Sequence, residues 1–169
     1  MPVSTAVNSD TFKVSTPADR EIELSRLFDA PRHLVWEAMT KPEHIKRWWG
    51  NLGEGYSVPV CEVDLRVGGT WRFSNQMPSG DLATFYGVYQ EIAPPDRIVF
   101  TEIFEPYPDA PSTVTAVFTE ENGKTRMTVT AEYVSKDVRD MVIASGMARG
   151  AGLSYDALEA VAAELASKQ

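Results

Sequence analysis

A chain of 169 residues with 43% hydrophobic side chains has enough apolar material for one domain with a substantial core and too little length for two. Sixteen Lys and Arg against 24 Asp and Glu leave a formal charge of −8, the wrong sign for neutralising phosphates or anionic lipid heads, so neither nucleic acid nor a membrane surface is an expected partner. No basic stretch precedes an apolar run at the N-terminus, no run of about 18 apolar residues occurs, and the only cysteine, Cys61, lacks a partner; a cytoplasmic setting and a thiol acting as a small buried hydrophobe are expected.

Residues 1–19 are rich in Ser, Thr, Pro and Val without a sustained period, the composition of a mobile arm or an edge segment, and a single domain is expected over 20–167. From Glu21 the stretch EIELSRLF alternates, with Ile22, Leu24, Arg26 and Phe28 on one face, which predicts a half-buried strand with one charged exception. Asp29 then reads as an N-cap with Pro31 in the first turn of a short helix whose apolar stripe is Leu34, Val35, Ala38 and Met39. Thr40 with Glu43 has the spacing of a capping box, predicting a second short helix over 42–49 that stops at Gly50. On that helix Ile45 and Trp49 share a stripe, so Trp49 is expected to be buried and Trp48 to sit at the surface or at a cavity rim, beside a loop over 50–55 able to gate entry.

Six further strands are predicted, over 60–65, 70–76, 82–92, 97–104, 113–121 and 125–134, because Gly68-Gly69, Pro94-Pro95 and Asn122-Gly123 supply the turns. Val114, Ala116 and Phe118 alternate with polar residues, as do Met127, Val129, Ala131 and Tyr133, so one sheet face must be covered. The cover is the C-terminal segment, where Ser135 caps a short helix and a long helix runs to about residue 167 with Tyr155, Leu158, Ala162 and Leu165 on one side. Its first turns crowd Gly146, Ala148, Gly150, Ala151 and Gly152, at a cost of about 1 kcal/mol for each helical glycine relative to alanine. Either a neighbour approaches the helix very closely there, or a hollow lies between helix and sheet.

This order of elements resembles the helix-grip fold of the START-like (SRPBCC) superfamily. The stretches FDAPRHLVWEAMTKPEHIKRWWG, DLRVGGTWRF, FYGVYQEIAPPDRIVFTEIF and SKDVRDMVIASGMARGAGLSYDALEAV resemble, within it, the family named for the C-terminal domain of the activator of the heat-shock ninety ATPase. The resemblance spans roughly residues 20–165; the long N-terminal arm and Gly152-Leu153, where relatives more often carry a polar residue, depart from it. It implies an α+β fold in which a curved seven-stranded antiparallel sheet wraps a long C-terminal helix, with two short helices between the first two strands. It also implies a choice among stress-related co-chaperone domains, cavity-bearing carriers and a few cyclising enzymes, which fold alone does not make. The co-chaperone relatives add a separate N-terminal chaperone-binding domain that this chain has no room for.

The candidate chemistry is sparse. His33 and His44 are the only histidines and fall on charge-rich helices far from Cys61, so no metal site, triad or cofactor is indicated, and solvent-facing histidines are expected. In RIVFTEIF the pattern admits two inner faces: Ile98, Phe100, Glu102 and Phe104, or Val99, Thr101 and Ile103. In the first case a carboxylate projects among aromatics, with Tyr155, Arg149 and Gln90 as the polar groups able to reach it. Trp48, Trp71, Phe73, Phe85, Tyr89, Phe100, Glu102, Phe118, Met147, Ala151 and Tyr155 are the expected lining of a ligand cavity, while Arg26 and Arg72 are read as ion-pair partners for Asp64 or Glu62. The leading reading is a protein that binds or sequesters a small apolar or aromatic molecule. An enzyme of cyclisation, dehydration or hydrolysis using Glu102 as acid or base, and an interaction module acting as a chaperone partner or homodimer, stand beside it.

Overall fold

In the computed structural model, which describes residues 9–168, the chain forms eight strands and four helices. The strands are β1 (Phe12–Ser15), β2 (Glu21–Phe28), β3 (Ser57–Val63), β4 (Thr70–Gln76), β5 (Leu82–Ala93), β6 (Arg97–Phe104), β7 (Ser112–Glu121) and β8 (Lys124–Glu132). The helices α1 (Arg32–Thr40) and α2 (Pro42–Trp48) follow β2, and α3 (Lys136–Ala144) and α4 (Met147–Ser167) end the chain. All strands join one antiparallel sheet in the order β1-β2-β8-β7-β6-β5-β4-β3, so β2 pairs with β8 and the two short helices lie in the connection that carries the chain from β2 to β3 at the far edge. The sheet has eight strands rather than seven, because Phe12–Ser15 of the N-terminal arm adds an edge strand, in register from Phe12↔Arg26 to Ser15↔Glu23.

Alternation places the core. Ile22, Leu24 and Phe28 of β2, Val114, Ala116 and Phe118 of β7, and Met127 of β8 are all buried on one face, against Leu158, Val161 and Ala162 of α4 and Val35, Trp36 and Ala38 of α1. The β7–β8 hairpin turns on Asn122 and Gly123, both with positive φ, as a two-residue turn between right-twisted strands demands. Ser135 caps α3 by accepting from the Val138 N–H at 3.1 Å.

The first two helices are capped differently from the sequence expectation. Pro31 is itself the N-cap of α1, and the Asp29 N–H instead donates to Glu159 Oε1 at 3.0 Å. Thr40 belongs to the last turn of α1, where its hydroxyl donates to the Trp36 carbonyl at 2.8 Å, so it is unavailable to cap α2, whose N-cap is Lys41. The helix α2 also ends one residue early. Trp49 has extended backbone (φ −64°, ψ 126°) and leaves the helical stripe, which reverses the expected roles of the two tryptophans. Trp48 is 5% exposed and its indole N–H donates to the Ala38 carbonyl at 2.8 Å; Trp49 is half-buried, edge-on to Phe73 and Phe85.

The two arginines also find other partners. Arg26 lies on the buried face of β2 and reaches across to α4, 2.6 Å from Asp156 and 3.1 Å from Glu159, while Arg72 pairs with Glu105 and Asp64 pairs with Arg66. These ion pairs tie β2 to the helix that lies over it. His33 is exposed, but His44 is half-buried with its Nε2 3.9 Å from Glu37 rather than facing solvent. Cys61 is half-buried under Pro42, and burial pushes its thiol up to about 11, so little thiolate forms at neutral pH.

Candidate functional site

The inner face of β6 is the one that carries Glu102. Ile98 and Phe100 stand on it with Glu102: Phe100 packs edge-on against Trp71 and Tyr89, and register pairs Ile98, Phe100 and Glu102 with Ala116, Val114 and Ser112, all buried on the concave side. Cross-strand partners decide what the local pattern left open.

On its β5 side this part of β6 lies tightly against Gly87. In the register that runs through Tyr86↔Ile103 and Tyr89↔Phe100, Gly87 stands opposite Glu102. The Trp71 indole N–H crosses the bare backbone of Gly87 to donate to the Thr101 carbonyl at 3.1 Å, and the Thr101 hydroxyl accepts from the Val88 N–H at 3.0 Å. A Cβ on Gly87 would lie 1.8 Å from the Thr101 oxygen and 2.8 Å from the indole nitrogen, so only glycine fits. Trp71 is thereby fixed beside Phe73 (ring centroids 4.8 Å) and Phe100 (5.5 Å), and Phe73 continues through Trp49 to Phe85 and Phe104 as one aromatic wall.

Facing Glu102 are Tyr155 from α4 and Tyr133 from the segment after β8, both with phenols held well above the usual tyrosine range by burial first and by the Glu102 charge next. Burial alone raises the Glu102 carboxyl to about 7. No described group gives the Glu102 carboxyl or either phenol a hydrogen bond or an ion pair. Yet among the described residues no fully enclosed side-chain oxygen or nitrogen lacks a partner. The three groups therefore open onto space that admits water. Glu102 is half-buried, and desolvation dominates its acidity.

The expected lining divides into two groups. Trp71, Phe73, Phe85, Tyr89, Phe100 and Glu102 share the wall just described, and Met147, Ala151 and Tyr155 lie on the first turns of α4, Met147 and Ala151 half-buried. Phe118 sits apart, fully buried and edge-on to Trp36 under α1, and Trp48 packs behind Tyr155 at 6.5 Å between ring centroids. Arg149 and Gln90 are exposed and play no part near Glu102; Tyr133 takes their place. Tyr133 carried a readable signal, since it continues the inward alternation of Met127, Val129 and Ala131.

The small residues of α4 receive neighbours. A Cβ at Gly152 would meet the Phe12 ring at 3.3 Å, and one at Gly150 would meet Leu52 of the 50–55 loop at 3.8 Å. That loop is anchored by Asn75, whose amide donates to the Gly50 and Ser57 carbonyls at 3.1 and 3.2 Å. Two clefts mark the outer surface. One of about 320 Å³ lies between α2 and β3, away from the aromatic wall, and one of about 240 Å³ reaches Ser112 and Tyr133, the residues flanking Glu102.

Among the described residues no helix is long and apolar enough to cross a membrane. Solved structures of the same fold include a protein from Rhodobacter sphaeroides, 24% identical over 91% of this chain and 99% of that one with a TM-score of 0.82. Others are a protein from Nitrosomonas europaea (24%, 90% and 99%, 0.79) and one from Arthrobacter aurescens (22%, 90% and 91%, 0.78). No curated protein matches the chain. The model of the activator of Hsp90 ATPase homolog 1-like family matches residues 29–163, and the chain belongs to that family.

Proposed function

We propose that the protein binds and sequesters a small, mostly apolar or aromatic molecule in the hollow between the first turns of α4 and the aromatic wall of β4, β5 and β6. The observation that carries this reading is the Glu102 carboxyl, desolvated among aromatics, without a polar partner and facing Tyr155 and Tyr133. A packed core has no use for such a group, since an unpaired buried carboxyl costs stability. A binding site does, because a few polar groups in an apolar wall orient a ligand.

A thermal-shift screen of the full chain with hydrophobic aromatics, fatty acids and polyketides tests it. A ligand at a hundred times its Kd stabilises the native state by about 2.7 kcal/mol. Silence across the whole panel would remove the reading.

One observation also favours acid or base catalysis: a carboxyl titrating near neutrality is well matched to proton transfer. Binding remains the better-supported reading because burial keeps the phenols beside Glu102 protonated. Turnover of a bound polyketide that is lost in Glu102→Gln, with binding retained, would reverse the order.

A further inference from the structure

We infer that the polar end of the ligand is cationic: the hollow suits a lipophilic aromatic amine, with Glu102 as counter-ion and Phe100 as the aromatic wall. The inference rests on the binding reading above and specifies its chemistry. It follows from an inventory of charge. Every buried basic side chain near the concave face is already engaged. Arg26 is held between Asp156 and Glu159, and Arg139 of α3 binds the carbonyls of Ala18 and Glu21 and the carboxylate of Asp140. Arg149 of α4 is exposed.

The neighbours of Glu102 are neutral, and the cation of the adjacent cleft, Arg20, is committed to Glu132 at 3.6 Å and to the Tyr133 carbonyl at 3.4 Å. Tyr155 comes from α4, Tyr133 from beyond β8, and Gly87 of β5 contributes no side chain; Ser112 of β7 spends its hydroxyl on the Glu102 carbonyl at 3.3 Å. A carboxylate or phosphate entering here would meet the charges of Glu102 and Glu132, with only Arg20, already paired with Glu132, to offset them. A neutral ligand would leave the carboxylate without a counter-charge. An ammonium supplies both the missing charge and the missing N–H donors, and ionised donor–acceptor pairs are about twice as strong as neutral ones. Trp71 is buried with its N–H spent on Thr101, so the half-buried Phe100 beside it is the aromatic surface left to a ligand, and aromatic faces attract a desolvated cation. The net charge of −8 favours cation entry as well.

The test titrates the full chain with three shape-matched probes, 1-naphthylmethylamine, 1-naphthylmethanol and 1-naphthoic acid, followed by calorimetry at pH 6 and pH 8. An alkylammonium stays protonated across this range, as a lysine side chain does, so any pH effect belongs to the protein. The ammonium is expected to bind, the naphthoate not to bind at either pH, and the alcohol to bind more weakly than the ammonium at pH 8. With a carboxyl titrating near 7, ammonium binding should tighten about tenfold from pH 6 to pH 8. Glu102→Gln should abolish that dependence, and if this variant does not fold, the wild-type pH profile decides alone. Equal or tighter binding of the alcohol or the naphthoate, ammonium affinity independent of pH, or failure of the ammonium to bind each overturns the inference. Binding of the alcohol without the ammonium leaves the hollow standing as a site. Failure of all three probes together with a silent ligand panel takes both readings away.

Discussion

Phe12 lies against the stretch of α4 that Gly152 leaves bare, its ring 3.3 Å from where a Cβ at that position would sit and edge-on to Tyr155 at 6.0 Å. The glycine in the helix and the edge strand of the N-terminal arm thus explain each other: close approach of an aromatic ring offsets the helix-propensity cost of glycine. Gly152→Val should therefore destabilise the protein by about 1–3 kcal/mol through overpacking. Phe12→Ala alone should cost about 3 kcal/mol, as loss of a buried phenylalanine does. In the double variant the penalties should be clearly less than additive when urea unfolding is measured, because the valine then fills the space Phe12 vacates. Full additivity would mean that the two residues do not share one packing site.

Gly87 supports a longer-range arrangement, since its bare backbone is what the Trp71 indole crosses to reach Thr101. Gly87→Ala should cost more than about 3 kcal/mol, because the new Cβ collides with backbone on β6 and not with the movable end of a side chain. Tryptophan emission should shift at the same time as Trp71 loses its hydrogen bond. A stable Gly87→Ala protein with wild-type emission would contradict this geometry.

The tryptophan pair shows where the sequence was legible and where it was not. The strands β4 and β6 and the end of α4 follow from alternation and turn residues alone, because Gly68-Gly69, Pro94-Pro95 and the helical stripe of α4 act locally. The inner face of β6 needed long-range information: both of its faces are rich in apolar side chains, and only pairing with β5 and β7 turns Glu102 inward. The edge strand Phe12–Ser15 is short and set among Ser and Thr, so its pairing with β2 left little local trace. For Trp48 and Trp49 a single residue was decisive, since ending α2 at Trp48 rotates the second indole off the stripe. Trp48→Ala should accordingly cost about 3–5 kcal/mol, as large aromatic truncations in cores do. Trp49→Ala should cost about 1–3 kcal/mol, in keeping with partial burial. The reverse ranking in urea unfolding would restore the helical-stripe assignment.

Arg26 gives an asymmetric prediction. Its side chain is 6% exposed, whereas those of Asp156 and Glu159 are 69% and 36% exposed. Removing both acids strands a buried cation, so Asp156→Asn with Glu159→Gln should cost about 3–5 kcal/mol. Arg26→Met leaves the acids to water and puts an apolar thioether where the guanidinium lies over the Phe28 ring, so it should change stability by no more than about 1 kcal/mol. Equal losses from the two variants would show that the attraction itself, rather than the stranded charge, dominates.

Glu102 makes stability depend on pH in a direction opposite to that of most carboxylates. Its carboxyl titrates near 7 in the folded protein and near 4.5 when unfolded, so between these values the native state holds the proton more tightly. The stabilisation this gives is complete below about pH 4.5 and is lost as pH rises through 7, by on the order of 3 kcal/mol in total. Glu102→Gln has no such proton to lose. Its stability relative to wild type should rise steadily from pH 5 to pH 8, most visibly as a higher melting temperature at pH 8. The comparison cancels every other titrating group, since both proteins share them. A difference that stays constant across this range would place the Glu102 carboxyl in ordinary solvent and remove the basis for a polar anchor in the hollow.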